Sequence, residues 1–383
     1  MVITKMDLYH VAPRWMFLKV STDEGICGWG EPVLEGHSHT VAAAVRELEA
    51  VLIGQDPRRI EHLWQLMYRG AYYRGGPVQM SAISGIEQAL WDIKGKYYHL
   101  PVYEMLGGRC RDSIRMYGHL KPAAISGDFP IEAMIQIARR RVEEGFTVVK
   151  YSVIPPVLPI DSWAAIDAIV ERFAAIRETV GRSVDIAVDF HGRVSPAMSK
   201  QLCKALEPYH PFFIEEPCLP ENPDMLADIA RSTCVPIAAG ERLFTRWGYR
   251  AVLESRAISV FQPDVCHAGG ILETKKIAAM AEMNYASLAP HNPLGPVSLA
   301  ACLQVDACCP NALVQEHPGM PDKLDLGVGL LKEPFVIDQG RIRIPQGDGL
   351  GIEIDEEALK EHLFDGNWHN PTILLEDGSL ADW

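Results

Sequence analysis

The sequence predicts an α/β fold in which a parallel sheet, closed into a barrel, follows an α+β unit. Three observations predict it. From about residue 117 the runs TVVKYSV, VDIAVDF, FFIEEP, VPIAAGE, AISVFQPD and YASLAPH read as strands, and segments such as MSKQLCKALEP and NPDMLADIARS between them have helical spacing. Strands that alternate with helices pair in parallel and are covered by those helices. The series is long enough to close on itself. Finally, each run ends on a polar residue, Asp189, Glu215, Glu241, Asp264, His291 and Glu316, at successive separations of 26, 26, 23, 27 and 25 residues. That step is the length of one strand, one helix and two loops.

Ahead of the barrel, MFLKVST and ICGWGEP flank the turn signal DEG and predict two paired strands. HTVAAAVRELEAVLIG and MSAISGIEQALWDIKGKYY predict helices, the second because Ile83, Ile86, Leu90 and Ile93 recur at helical spacing. The unit spans residues 1–116, with Gly107-Gly108 near its end, and the barrel spans 117–325. In the remaining segment, 326–383, EPFVIDQGRIRIPQGDGLGIEID holds two short strand patterns and EEALKEHLF an acidic helix. Too small to fold alone, it is expected to pack back on the first unit.

At 383 residues and 48% hydrophobic, the chain can bury a large core. MVITKMDLYHVAPRWMFLKV lacks the basic start and unbroken apolar run of a secretory leader, and no stretch approaches the roughly 18 apolar residues of a membrane span. A soluble, cytoplasmic protein is expected. The nine cysteines are odd in number, and the adjacent Cys308-Cys309 pair does not have C-x-x-C spacing, so reduced, mostly buried thiols are expected. A formal net charge of −14 argues against nucleic acid and anionic membranes as partners. A small anionic ligand stays admissible where a metal or a few basic residues reverse the local sign.

The stretch VDFHGR places Asp189 and His191 two apart, on one face of a strand end. Barrel strands converge at their C-terminal ends on one mouth, the place of the active site in such folds. Asp189, Glu215 and Glu241 on consecutive strand ends would repel one another unless a cation sits among them. An all-oxygen set suits Mg²⁺ or Mn²⁺. The competing reading pairs these acids with Lys150, Arg193 or Arg242. One strand before His291, Asp264 can fix the tautomer of the imidazole and raise its basicity, which makes His291 a base. His191, beside a metal ligand, suits an acid. Glu316, if protonated, can donate a hydrogen bond to a developing oxyanion. His267 and His317 read as structural. Such a site removes a proton next to a carboxylate and expels a neighbouring hydroxide.

The stretches PRWMFLKV, YRGGPVQMSAISGIEQALWDIKGK, VDFHGRVS, FFIEEP, AAGERLF, QPDVCHAGGI, LAPHNPLGP and GLGIEID together resemble the mandelate racemase group of the enolase superfamily across nearly the whole chain. The resemblance implies a modified TIM barrel, (β/α)₇β, with an α+β capping domain made from both chain ends. It implies Asp189, Glu215 and Glu241 as ligands of one Mg²⁺, with Mn²⁺ as a substitute. It makes His291 the base paired with Asp264, His191 the acid for the leaving hydroxyl, and Glu316 the stabiliser of an enediolate. The implied activity is dehydration of a sugar acid of the galactonate type. A gluconate-type dehydratase or a two-His epimerase is the alternative, and a homo-oligomer is expected.

Two departures bear on the substrate. Where the group's racemases carry Lys-x-Lys, this chain has Lys150-Tyr151-Ser152, which removes a second lysine base and leaves Lys150 to contact the substrate carboxylate. GHLKPAAISGDFP also differs from what is expected of the group's galactonate-type dehydratases near the first barrel strand. Arg14, Trp15, His37 and the loop from Tyr72 to Gly76 are expected to face the substrate.

Overall fold

The structure, a computed structural model, describes residues 1–120, 130–152 and 154–382. Most of GHLKPAAISGDFP, residues 121–129, lies outside them. The chain opens with an antiparallel sheet of β1 (Ile3–Val11), β2 (Trp15–Thr22) and β3 (Cys27–Gly30), followed by α1 (Ser38–Leu52), α2 (Ile60–Arg69), α3 (Pro77–Tyr98) and α4 (Val102–Met105). Three of these elements, β1, α2 and α4, were not anticipated. In β1 the fully buried positions Ile3, Met6 and Val11 do not keep the two-residue period of a half-buried strand, and a bulge between Ile3 and Lys5 shifts the register over the first of those steps. The sheet lies directly on α3. Gly30 and Gly85 make that approach, and a Cβ on Gly30 would collide with the carbonyl oxygen of Gly85.

After β4 (Ser113–Arg115), the barrel runs through β5 (Gly118–His119), α5 (Ile131–Glu143), β6 (Val148–Tyr151), α6 (Trp163–Val180), β7 (Asp185–Asp189), α7 (Pro196–Leu206), β8 (Ile214–Glu215) and α8 (Pro223–Arg231). It continues through β9 (Ile237–Ala239), α9 (Thr245–Gly248), α10 (Arg250–Ser255), β10 (Val260–Phe261), α11 (Ile271–Glu282), β11 (Ser287–Leu288) and α12 (Pro296–Cys308). Strands β5 to β11 pair in parallel in sequence order. Residues 312–316 close the sheet: Leu313 N donates to Leu288 O on one edge, and Tyr117 N donates to Gln315 O on the other. This is a (β/α)₇β barrel. Its lumen is filled by one residue from each of the eight strand segments, Tyr117, Val148, Ala187, Phe213, Ala238, Val260, Ala289 and Val314, large beside small.

Helix α3 joins the two units. Ile83, Ile86, Leu90 and Ile93 are buried as their spacing predicts, but so is the polar stripe Ser81, Ser84, Glu87, Gln88 and Asp92. Ser84, Gln88 and Glu87 take up backbone atoms of the loop after β10 and of the first turn of α11, while Asp92 accepts from Trp29 N and Leu350 N. Ser84 Oγ accepts from Gly269 N, Gln88 Nε2 donates to Val265 O, and Glu87 accepts from Ile271 N and Leu272 N. A helix that looks amphipathic in sequence is therefore buried on both faces, with every polar group of the stripe partnered.

The tail carries β12 (Ile337–Asp338), β13 (Arg341–Arg343) and α13 (Glu356–Lys360). β13 pairs with β4, Leu350 N donates to Asp92, and Glu356 meets Lys19 at 2.5 Å, so these parts of the tail contact residues of the first unit. Among the described residues no helix is long and apolar enough to cross a membrane.

Candidate active site

The barrel strands bring the six strand-end residues to one mouth, beneath the capping unit. Asp189 and Glu215 are register partners on β7 and β8, and Asp264 and His291 are bridge partners beyond β10 and β11. Glu241 follows β9 through Gly240, whose φ of 142° and tight contact with Tyr249 Oη and the Gln262 backbone require glycine. A cavity of about 1840 Å³ opens here, lined by Asp189, His191, Glu241, His291 and Glu316.

Asp264 is fully buried and accepts Cys266 N on Oδ1 at 2.7 Å and His291 Nδ1 on Oδ2 at 2.7 Å. With Nδ1 donating, His291 turns Nε2 to the cavity, where Glu241 Oε2 stands at 3.4 Å. Burial alone would push this imidazole down, but Glu241, the Asp264 hydrogen bond and Glu316 outweigh it and hold His291 well above its ordinary range. The result is a ring with high proton affinity. His191 has a left-handed backbone, φ 55°, and its amide donates to Asp189 Oδ1 at 2.8 Å. That turn keeps its side chain at the mouth instead of continuing the strand, the kind of strain that collects at functional sites.

The carboxylate set is engaged by Lys150. Its Nζ lies 2.5 Å from Glu215 Oε1, 3.1 Å from Glu316 Oε1 and 3.4 Å from Asp189 Oδ2. The competing sequence reading thus holds for Lys150, whereas Arg242 pairs with Glu216 and Arg193 donates to Ile154 O. Lys150 also differs from its expected role: it lines the cavity, but its ammonium is committed to carboxylates of the protein. Among the described residues no three His, Cys, Asp or Glu side chains are drawn into a ready-made cation cage. The donor set nonetheless suits a hard cation. Burial, then repulsion from Asp189, Glu316 and Glu241, against the attraction of Lys150, leaves Glu215 well above the usual carboxylate range. Its Oε2 is buried with no hydrogen-bond partner among the described residues. Oxygen ligands with uncompensated charge are what Mg²⁺ takes.

Glu316 departs from the protonated donor expected of it. Burial pushes it up, but Lys150, His119 and His291 outweigh that and hold it well below the usual range, ionised. It accepts Lys150 Nζ, Asn292 N at 3.0 Å and meets His119 Nε2 at 3.0 Å. His119 was missed in the sequence. It ends β5 beside Lys150 on β6, and carrying the strand-end series backward from Asp189 reaches Lys150 after 39 residues and His119 after a further 31. The steps are longer there because the loops are.

Of the residues expected to face the substrate, Arg14, Trp15 and His37 line the cavity, Trp15 from a buried position. Arg14 donates to Pro293 O at 3.1 Å and stacks at 5.0 Å on Trp368, from the tail. The loop from Tyr72 to Gly76 does not reach the site: Tyr72 is 92% exposed and Tyr73 87%, and neither lines the cavity. His317 pairs with Asp325 at 2.8 Å, as a structural histidine would.

Residues 9–107 match the model of the mandelate racemase/muconate lactonizing enzyme N-terminal domain, and residues 133–358 that of the enolase C-terminal domain-like family. The chain is 50% identical to a D-galactonate dehydratase of Ralstonia pickettii and 49% identical to one of Variovorax paradoxus, each over the full length of both chains. Among solved structures it superposes on a mandelate racemase/muconate lactonizing enzyme from a Jannaschia species with a TM-score of 0.90 at 32% identity, covering 97% of this chain and 100% of that one. An enolase-superfamily member from Salmonella Typhimurium gives a TM-score of 0.88 at 33% identity, over 94% and 98% of the two chains.

Proposed function

Because the chain belongs to the mandelate racemase/muconate lactonizing enzyme family of the enolase superfamily, with sugar-acid dehydratases among its full-length relatives, we propose that it is a hydro-lyase that converts D-galactonate to 2-dehydro-3-deoxy-D-galactonate and water. The observation that carries this reading is the Asp264–His291 dyad, joined at 2.7 Å and opening on the same cavity as His191 and the carboxylates.

Asp189, Glu215 and Glu241 are the residues that would hold Mg²⁺, which would supply positive charge to offset the negative charge that develops on the substrate carboxylate. His291 Nε2 takes the proton from the carbon next to the carboxylate, while Asp264 steadies the imidazolium that results. The electron pair of that C–H bond becomes the new C–C double bond of an enol, and the C–O bond at the neighbouring carbon breaks. His191 gives its proton to the departing hydroxyl, so water leaves, and the enol closes to the 2-keto acid. Glu316, ionised, acts as an acceptor that steers Lys150 and His119 rather than as a donor. Arg14 and His37 face the hydroxylated end of the substrate. A cytoplasmic setting, in which the nine thiols stay reduced, accompanies this reading.

The test is a stereochemically complete acid-sugar set with Mg²⁺, read for 2-keto acid. Turnover of D-galactonate with loss of one water supports the proposal. Turnover confined to a gluconate-type acid moves the substrate, and a product of unchanged mass makes the enzyme an epimerase.

A further inference from the structure

His267, read as structural in the sequence, follows Asp264 by three residues and is buried between the barrel and α3. Ser81 Oγ donates its single hydrogen to Pro77 O at 2.8 Å, so toward His267 Nδ1, at 2.9 Å, it is the acceptor. Nδ1 therefore donates. This turns the Nε2 edge of the ring to two carboxylates, Asp264 Oδ2 at 3.8 Å and Glu35 Oε2 at 3.9 Å. Asp264 Oδ2 is the oxygen that accepts His291 Nδ1. Glu35 lies 3.7 Å from Arg14 Nη2, and Arg14 donates to Pro293 O, two residues beyond His291. The contacts form a closed ring: Arg14, Glu35, His267, Asp264, His291, and back through Pro293.

From this ring we infer that His267 is a positioning residue for the base. Packed at 3.8 Å from Asp264 Oδ2 and 3.9 Å from Glu35 Oε2, the anchored ring limits movement of Asp264 away from His291 Nδ1 and places the dyad in contact with the capping-loop carboxylate, so that the arrangement of the mouth is transmitted to the proton acceptor. The anchor on Ser81 gives the ring one orientation. The inference rests on the reading of His291 as base.

The experiment compares His267→Ala, His267→Gln, Glu35→Gln and the double variant His267→Ala/Glu35→Gln with the unmodified enzyme, using D-galactonate and Mg²⁺. It reads kcat, KM and exchange of the α-proton with solvent deuterium. His267→Ala is expected to lower kcat and exchange together by about tenfold or more, with KM within about twofold. His267→Gln, which keeps a polar side chain of similar reach packed beside Asp264, is expected to recover most of that loss. Glu35→Gln is expected to lose less, and the double variant no more than His267→Ala alone, the signature of coupled residues. Should His267→Ala not fold, His267→Asn, too short to pack against Asp264, paired with Glu35→Gln gives the same reading, since only coupled positions lose less together than their separate losses combined. A folded His267→Ala with unchanged kcat and exchange overturns the inference, as does full additivity in the double variant. His291→Asn separates the two readings. Exchange that persists in it removes the base assignment itself, whereas exchange lost there and kept in His267→Ala removes only the role of His267.

Discussion

Glu31, at the end of the capping sheet, accepts the backbone N–H groups of Gly295 at 2.8 Å and Ser298 at 2.9 Å, and so caps α12 from the other unit of the fold. The first turn of that helix needs acceptors, and a fully buried carboxylate supplies them. Burial pushes Glu31 up to about 8 from an ordinary 4.5, against the two N–H groups that favour its charge. Between those values the folded chain keeps a proton that the unfolded chain releases, so the contribution is fully present below about 4.5 and is lost as pH rises through about 8. Urea unfolding at about pH 5.5 and about pH 8.5 is expected to show a larger loss of stability in the unmodified chain than in Glu31→Gln, by on the order of a few kcal/mol, because glutamine does not titrate. Equal losses would contradict this account of the cap.

The capping sheet and α3 meet through glycines, and that contact is expected to be intolerant. An added Cβ at Gly85 runs into the backbone of Pro32, and neither partner is the free end of a side chain. Gly85→Ala is expected to cost about 3 kcal/mol or to prevent folding, read by thermal unfolding. At Gly248 the nearest atom to an added Cβ is 3.9 Å away, so Gly248→Ala serves as the control with little change.

Much of this was legible in the sequence because barrel strands are apolar on both faces and stop abruptly. Asp189, Glu215, Asp264 and His291 each interrupt such a run, and the helix between successive strands keeps the spacing nearly constant. His119 escaped because the first two steps of the series are longer. The polar stripe of α3 escaped for another reason: Ser81, Glu87 and Gln88 look like a solvated helix face until a loop from 180 residues away covers them. The 72–76 loop was misplaced because exposed tyrosines carry no local sign of which cavity they border. Lys150 was legible as a site residue, but its pairing with Glu215 depends on a contact across two strands.

Lys150 and a divalent cation answer the same carboxylates. Lys150→Met leaves Glu215, Asp189 and Glu316 without the ammonium that pairs with them, a loss of about 3–5 kcal/mol by analogy with broken buried ion pairs. In metal-free buffer its melting temperature is expected to fall well below that of the unmodified chain, and added Mg²⁺ is expected to raise it by more than it raises the unmodified chain. A Mg²⁺-induced shift smaller than that of the unmodified chain would show that Lys150 and the cation do not share ligands.

Metal removal is the plainest check on the carboxylate set. EDTA is expected to abolish turnover and Mg²⁺ to restore it. Glu215→Gln is expected to weaken Mg²⁺ binding measured by calorimetry, with the fold intact, because a neutral amide is a poorer ligand than a carboxylate. Full activity of rigorously metal-free enzyme would contradict this assignment.

The central claim is the division of labour between the two histidines, and exchange of the α-proton of D-galactonate with solvent deuterium measures it most directly. His291→Asn is expected to abolish both exchange and dehydration, since the imidazole joined to Asp264 at 2.7 Å and facing the cavity is gone. His191→Asn is expected to block dehydration while exchange continues, because the hydroxide lacks its proton but the base is intact. Exchange that survives in His291→Asn and disappears in His191→Asn would contradict the account and reverse the two roles.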